Sequence, residues 1–430
     1  MIAGGMNREE SGSITLPFGD RELTFRLPAR NLVAVASPQR VAEPVDEAGE
    51  IRRALAEPIG GPRLAEAARR ARRVVIAADD FTRCTPVERM VPALLDELNR
   101  GGIRDEQVTV LIALGTHRPM SEAEVREHFG PEVVERVQVV NHEWQEASAL
   151  RSLGTTASGT PVEINRLALE ADFLIGVGSI VPHHIPGYSG GAKIVQPGIS
   201  GAETTGATHY LSTRAAQSYL GREENPVRAE IDGIGARVGL KAIFNAVLDP
   251  DGRLVQAFYG DPLQAHRRGV VRSRQVFGVR LPGRADIVIA GSHPYDIEFW
   301  QAHKTLYPAD LAVKDGGTII LVSPCPEGVS VTHRDMLDFT RFDPGRLEQM
   351  IEDRQLKDLV SAALALAWAK VRQRSAVHLV SDGIPSEEAA ALGFHPFESI
   401  PAALAAAMLR HGPEATVTVL PHAPATLPLL

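Results

Sequence analysis

Apolar residues recur along the chain in short continuous runs separated by stretches of helical periodicity, the pattern of strands alternating with helices. Period-two alternation through residues 13–28, SITLPFGDRELTFRLP, predicts a β-hairpin turning at Gly19-Asp20. Residues 31–48 are proline-rich and predict an irregular segment. A helical pattern follows from about Ile51 to Arg73, broken between Pro58 and Pro62. The run RVVIAADD predicts a strand, Pro86 to Asn99 a helix, and VTVLIAL a second strand ending at Gly115-Thr116-His117-Arg118. Ser121 and Glu124 form a capping box for the next helix. VQVVNHE and Phe173–Val177 predict further strands, followed by a helix near Pro226–Val238 and the strands KAIFNAVL and RLVQAFYG.

LPGR, near residue 280, reads as a boundary, because a fresh alternation begins after it. ADIVIAGSHP, GTIILVSPCPEG, AVHLVSDGIP and ATVTVLP predict strands. Helices are expected from Trp300, through Trp368 and over Ile400–Arg410. The expected fold is therefore α/β with two domains, each a mainly parallel sheet flanked by helices and with the active site in the cleft between them. The domains are placed at 1–278 and 279–410, with a tail over about 411–430 packing back on the first. No solenoid-length repeat or low-complexity segment interrupts this pattern.

Composition narrows the classes. With 430 residues the chain can bury an ample core, and 44% hydrophobic with 23% charged residues is the balance of a globular protein. A formal charge of −8 argues against a nucleic-acid surface. The densest basic cluster, Arg69, Arg70, Arg72 and Arg73, predicts a solvated helix end. Cys84 and Cys325 have no CxxC or zinc-type spacing, which points to a reducing cytoplasm. The first residues, MIAGGMNREESG, lack the apolar core of a secretion signal, and Leu359–Ala369 is too short to span a bilayer.

The chemistry concentrates in residues 178–201, GSIVPHHIPGYSGGAKIVQPGISG. Gly187, Gly190 and Gly191 allow a backbone to approach an anion, and Lys193 follows in otherwise apolar sequence. Ala192 and Ile194 flank that lysine, so this is not a Walker loop. His183 and His184 precede it. Asp80, His117, His183 and His293 all stand just beyond the carboxyl ends of expected strands, the edge where open α/β sheets bind ligands. Each signal alone has a plain structural reading: Asp80 with Arg83 as a capped turn, His117 as a satisfied polar residue, the glycines as a generic phosphate loop. His117, His183, His184 and His209 also admit a three-histidine zinc site, although no HxH or HxxxH spacing supports it. His142, His266, His333 and His378 read as ordinary histidines.

Together, DxTR at Asp80–Arg83, GTHR at Gly115–Arg118 and PHHIPGYSGGAKIVQPG from Pro182 to Gly198 resemble the lactate racemase family of nickel-pincer-nucleotide 2-hydroxyacid racemases and epimerases (LarA-like). His209, Gln301 and Lys304 extend the resemblance over most of the chain. It implies an isomerase that moves the hydroxyl proton to a histidine and a hydride from substrate Cα to the cofactor, passing through a 2-keto acid. The implied cofactor is pyridinium-3,5-bisthiocarboxylic acid mononucleotide nickel, held at Lys193 by a thioamide bond in some members and without one in others. Ser189, Gly190, Gly191 and Thr82 complete its site. By the same resemblance His209 is the nickel ligand, and His117 and His183 are the acid/base pair with Asp80 and Arg83 beside them. Gln301, Lys304, Trp300 and Trp368 are assigned to the substrate pocket. His184 competes with His183 for the second base; His183, ten residues before Lys193, fits the family pattern better. Trp300 stands where lactate-specific members carry tyrosine, which leaves the 2-hydroxy acid open.

The implied partners are that small substrate and the cofactor-maturation enzymes, with no nucleic acid and no membrane; oligomeric state is not implied. The rival readings are a histidine-ligated zinc hydrolase and a non-catalytic cofactor carrier or hydroxy-acid sensor.

Overall fold

A computed structural model describes residues 11–38, 40 and 45–430. The start of the chain, read above for a secretion signal, lies outside them up to residue 10, as do residues 39 and 41–44 of the proline-rich segment. Two six-stranded sheets organise the molecule. The first runs, edge to edge, through Leu254–Gly260, Leu240–Leu248, Phe173–Ser179, Val74–Asp79, Val108–Ala113 and Gln138–Asn141. Only the Leu254–Gly260 strand is antiparallel to its neighbour. The second sheet runs through His395–Phe397, Ala376–Val380, Val313–Val322, Ala285–Gly291, Val417–Leu420 and Leu32–Val35, all parallel. The α/β expectation holds in both halves.

These strands form where the sequence is continuously apolar because both faces are covered by helices. Val74–Asp79 is buried from Val74 to Ala78, and every residue of Phe173–Ser179 is buried. In the first sheet the chain leaves Val74–Asp79 toward Val108–Ala113 on one side and finds Phe173–Ser179 on the other. That reversal opens a crevice at the carboxyl ends of these central strands.

Three elements depart from the pattern reading. Leu32–Val35, inside the segment expected to be irregular, is the edge strand of the second sheet, paired with Val417–Leu420. The preceding hairpin pairs Ser11–Phe18 with Arg21–Pro28 and packs Leu16, Phe25 and Leu27 against Ile287, Ile289 and Val419. The opening residues thus join the C-terminal sheet rather than the sheet of their own half. The tail likewise inserts Val417–Leu420 into the second sheet, and only Leu427–Leu429 returns to pair with Gly278–Arg280. The third departure is the helix Ala202–Thr213, which a threonine-rich sequence with a central glycine does not advertise. A Cβ on Gly206 would sit 2.7 Å from Leu359, so the glycine lets this helix meet Leu359–Arg374 of the other domain at close range. Among the described residues no helix is long and apolar enough to cross a membrane.

Candidate active site

The crevice of the first sheet forms one wall of a cleft, and the second domain forms the other. Asp79 and Asp80 enter from the end of Val74–Asp79, Gly115–His117 from the end of Val108–Ala113, and Gly178 and Ser179 from the end of Phe173–Ser179. Trp300, Gln301, His303 and Lys304, on a short helical segment of the second domain, face them.

His117 is fixed at both ring nitrogens. Its Nδ1–H donates to Asp80 Oδ2 at 2.6 Å, and its Nε2 accepts from Gln301 Nε2 at 3.0 Å. Gln301 cannot turn its amide over, because its Oε1 already accepts from Arg83 Nη1 at 3.3 Å and from Lys304 Nζ. Asp80 spends its other oxygen on Thr82, accepting from Oγ1 at 2.6 Å and from the backbone N–H at 3.1 Å. Burial would raise the Asp80 carboxyl, but His117, Arg83 and the Thr82 hydroxyl outweigh it and hold it below the usual carboxylate range. Burial, with Arg83 and Lys304, lowers the His117 imidazole despite Asp80. The pair is a carboxylate and a neutral imidazole whose Nε2 lone pair faces the second domain.

Around the glycine loop the backbone is held from behind. Ser189 Oγ donates to Ser179 O at 2.7 Å and accepts from Val181 N–H at 2.9 Å. The Gly191 N–H donates to Asn245 Oδ1 at 2.8 Å, and His266 Nε2–H donates to Ser189 O at 2.9 Å. Gly190 has φ 76°, and a Cβ there would lie 2.6 Å from Ile180 and 2.9 Å from Asn245 Oδ1. Lys193 reaches the cleft from this loop, and no described residue accepts a hydrogen bond from its Nζ. Burial, reinforced by Arg83, brings its ammonium down to about 7 even with Asp79 and Asp80 nearby. Burial also lowers Lys304 strongly, with Arg83 and Lys193 pushing the same way. Three basic side chains crowded into one recessed site, two of them lowered by burial and by one another, would be held charged by an anionic ligand.

His183 Nδ1 accepts from the Ile185 N–H at 3.2 Å, which places the ring proton on Nε2. His184 is 5% exposed and stacks on Tyr307 with ring centroids 4.0 Å apart. His209 Nδ1–H donates to Thr205 O at 2.8 Å, one helical turn back, leaving Nε2 as a lone pair. Burial and Lys193 lower that imidazole to about 3, so it stays neutral. Among the described residues no three His, Cys, Asp or Glu side chains converge as a protein-only metal site. The three-histidine zinc arrangement is thus not formed.

Comparison with known proteins decides the family. Residues 18–221 match the lactate racemase N-terminal domain and residues 282–426 the lactate racemase C-terminal domain. The lactate racemase of Thermoanaerobacterium thermosaccharolyticum is 33% identical over 323 residues, covering 74% of this chain and 75% of that protein. The chain belongs to the lactate racemase family. It is an isomerase of the racemase class. The lactate racemase of Lactiplantibacillus plantarum is 30% identical over 420 residues, covering 95% of this chain and 98% of that one. The solved apoprotein of the Thermoanaerobacterium enzyme superposes with a TM-score of 0.86 at 28% identity, over 97% of this chain and 100% of that one. A structure from Thermotoga maritima shares the fold with a TM-score of 0.69 at 21% identity, over 87% of this chain and all of that one.

The residues assigned to the site from the sequence are largely brought together. Asp80, Arg83, His117, His183, Ser189, Gly190, Lys193, His209, Trp300, Gln301 and Lys304 all line the cleft. Thr82 and Gly191 stand directly behind it through Asp80 and Asn245. Trp368 does not line it: the indole is fully buried against Phe299 and His303, and Leu364 from the same helix takes the lining position. His293 pairs instead with Asp296, at the carboxyl edge of the second sheet. Pattern reading missed His303 and Asn245 in the lining. His303 follows Gln301 by two residues and was open to notice; Asn245 sits inside an apolar strand, and its polar atoms are the only clue.

Proposed function

We propose that the protein interconverts the two configurations at Cα of a 2-hydroxy acid, using a nickel pincer nucleotide seated between the glycine-lysine loop and His209. The observation that carries this reading is the opposite state of two imidazoles in one cleft. His117 has its Nε2 lone pair set by Asp80 and engaged by the Gln301 amide, whose place a substrate hydroxyl would take, and His183 carries a proton at Nε2, set by the Ile185 N–H. A racemase needs such a pair, one base for the hydroxyl of one enantiomer and one acid for the hydroxyl of the other.

The residues also suit the cofactor. Lys193 and the His209 Nε2 are uncommitted among the described residues, and both line the same cleft. Gly190, Gly191 and Ser189 would shape the bed of its nucleotide, Lys193 would hold it, and His209 would ligate its metal. When bound, the cofactor supplies a hydride acceptor, which avoids a carbanion at a weakly acidic Cα.

The chain's own part is binding and proton transfer. Arg83 and Lys304, bracketing the Gln301 carbonyl, take the substrate carboxylate by charge and direction. His117 Nε2 accepts the hydroxyl proton as the 2-hydroxy acid is oxidised to the 2-keto acid, with its growing positive charge stabilised by Asp80. After the keto acid has presented its other face, His183 would return a proton to the same oxygen as an imidazolium, leaving a neutral imidazole; in its neutral form the Nε2–H only donates a hydrogen bond there. For the mirror-image substrate the two exchange roles. Such an enzyme works in the cytoplasm beside the enzymes that mature its cofactor.

The test uses protein shown by mass and metal analysis to carry the nickel cofactor. It is incubated with single enantiomers of lactate, longer aliphatic 2-hydroxy acids, phenyllactate, malate, 2-hydroxyglutarate and aldonic acids, each followed by chiral chromatography. Interconversion of one member, lost in His117→Ala and His183→Ala with cofactor retained, is the expected result. Conversion undiminished in either variant removes the two-base mechanism, and no conversion of any member removes the reaction.

A further inference from the structure

The loop that carries His117 is gripped from the opposite domain by residues with no place in the proton transfers above. His333 is 2% exposed. Its Nδ1–H donates to Asp358 Oδ2 at 2.8 Å, and its Nε2 accepts from the Thr116 hydroxyl at 3.0 Å, with the Thr116 carbonyl 3.2 Å away. Thr332 Oγ1 donates to that carbonyl at 3.3 Å. Asp358 is itself immobilised as the N-cap of Leu359–Arg374, where it accepts from the Ser361 N–H at 3.0 Å and from the Ser361 hydroxyl.

Aromatic stacking orients the same imidazole. Its ring lies 4.0 Å from Trp300 at 20° and 5.9 Å from Trp144 at 18°. Both tryptophans are coupled to His117. Trp144 Nε1–H donates to the His117 carbonyl at 2.9 Å, and Trp300 precedes Gln301, whose amide holds His117 Nε2. One side chain therefore touches three of the groups that determine where the His117 ring sits. A buried histidine-aspartate pair costs desolvation that an apolar pair would not, so packing alone does not account for it.

We propose that His333 is a positioning residue: oriented by Asp358 and Trp300, it fixes Thr116 from the second domain and so sets the His117 imidazole for proton transfer. This rests on the reading of His117 as a catalytic base. Because the grip crosses from one domain to the other, the base is in register only when the second domain is docked on the loop. Neither domain alone then presents a complete site.

His333→Phe keeps the stack and removes both hydrogen bonds; Thr116→Val removes the bond from the other end, and Thr116→Ser keeps it. In cofactor-loaded enzyme, His333→Phe and Thr116→Val are expected to lower kcat about 10- to 100-fold with KM changing less than about threefold. The double variant is expected to be no worse than the worse single one, because both break the same link. Thr116→Ser is expected to restore kcat. Losses that multiply, a loss carried by KM, or a serine variant as poor as valine would overturn the proposal. If His333→Phe does not fold, His333→Leu, which also removes both hydrogen bonds, takes its place in the cycle.

A second readout needs no chemistry. In cofactor-free protein, amide hydrogen exchange over residues 114–118 should speed up at least about tenfold in His333→Phe while the strands of both sheets are unchanged. Faster loop exchange in a protein whose wild type turns over no 2-hydroxy acid would leave the grip standing and remove the reaction. Wild-type turnover with unchanged exchange and kcat in the variants would remove the grip alone.

Discussion

The His117 imidazole and the Asp80 carboxylate meet at 2.6 Å, and Asp80 is so engaged with Thr82 that it has a single orientation to offer. A carboxylate can only accept, so the ring proton is kept on Nδ1 and the lone pair on Nε2. The same charge would steady an imidazolium formed if His117 takes a proton in the proposed reaction.

Asp80→Asn tests this directly. An amide keeps the size but offers a donor as readily as an acceptor, and it removes the charge. Turnover of the loaded enzyme should fall by about 10²- to 10⁴-fold, with KM little changed. Steady-state rates with both enantiomers measure it. A loss of less than about tenfold in both directions would mean that Asp80 is only a turn cap.

Gly190 is where the loop packs its backbone tightly against the protein behind it. Its φ of 76° disfavours any side chain, and an alanine Cβ would press on Ile180 and Asn245. Gly252 has nearly the same φ, 77°, with no described residue within 4 Å of such a Cβ. Gly252→Ala should therefore lose about 1 kcal/mol from backbone strain alone, and Gly190→Ala about 1–3 kcal/mol more from crowding. Denaturant unfolding of the two variants separates these contributions. Cofactor content should fall only in Gly190→Ala, and equal stability losses would argue against a fitted bed.

Lys193 gives a dependence on pH whose sign is fixed. Its folded value near 7 lies below the usual 10.5, so between those limits the unfolded chain binds more protons than the folded one. Stability contributed at this residue therefore rises with pH from 7 toward 10.5, and the full cost is present below 7. One unit of displacement corresponds to ~1.4 kcal/mol. Screening leaves a fraction of the total, on the order of 1–2 kcal/mol. Lys193→Met should accordingly make the cofactor-free protein more stable at pH 7, with the gain shrinking by pH 10, while the nickel content of matured protein drops. Unfolding curves at the two pH values decide it; a methionine variant less stable at pH 7 would show that the lysine is not strained.

How far the sequence discloses this site depends on whether the cause is local. Asp80, His117 and His183 were legible because each buried strand is an unbroken apolar run that stops abruptly at a polar residue. Lys193 was legible because glycine clusters are costly unless a backbone must come close to something. Leu32–Val35 was not, since four residues in proline-rich surroundings become a strand only by pairing with Val417–Leu420, far along the chain. Ala202–Thr213, which carries His209, was hidden because its helicity comes from packing on Leu359–Arg374 rather than from propensity. His333 read as ordinary for the same reason: its partners, Thr116, Trp144, Trp300 and Asp358, are distant in sequence. Trp368 shows the converse: the family resemblance assigned it to the pocket, while its packing against Phe299 and His303 keeps it out of the cleft lining.

The adjacent histidines His183 and His184 were indistinguishable by type, and their surroundings now separate them. Their rings stack on each other at 4.6 Å, yet only His183 has a backbone N–H, that of Ile185, fixing its Nδ1. His184 is pressed between that ring and Tyr307 and meets His303 edge-on at 5.2 Å; its Nε2 has no partner. Such an imidazole packs as an aromatic slab behind the His183 ring, the proposed second base. His184→Phe should consequently keep turnover within about tenfold of wild type, since a phenyl ring preserves the stack. His183→Phe, equal in shape but without an exchangeable proton, should lose at least about 10²-fold in the direction that requires its acid. Initial rates from each pure enantiomer, compared at equal cofactor content, read both effects. If His184→Phe proved the more damaging of the two, the second base would be His184, and the Ile185 contact would be a turn hydrogen bond with no bearing on the chemistry.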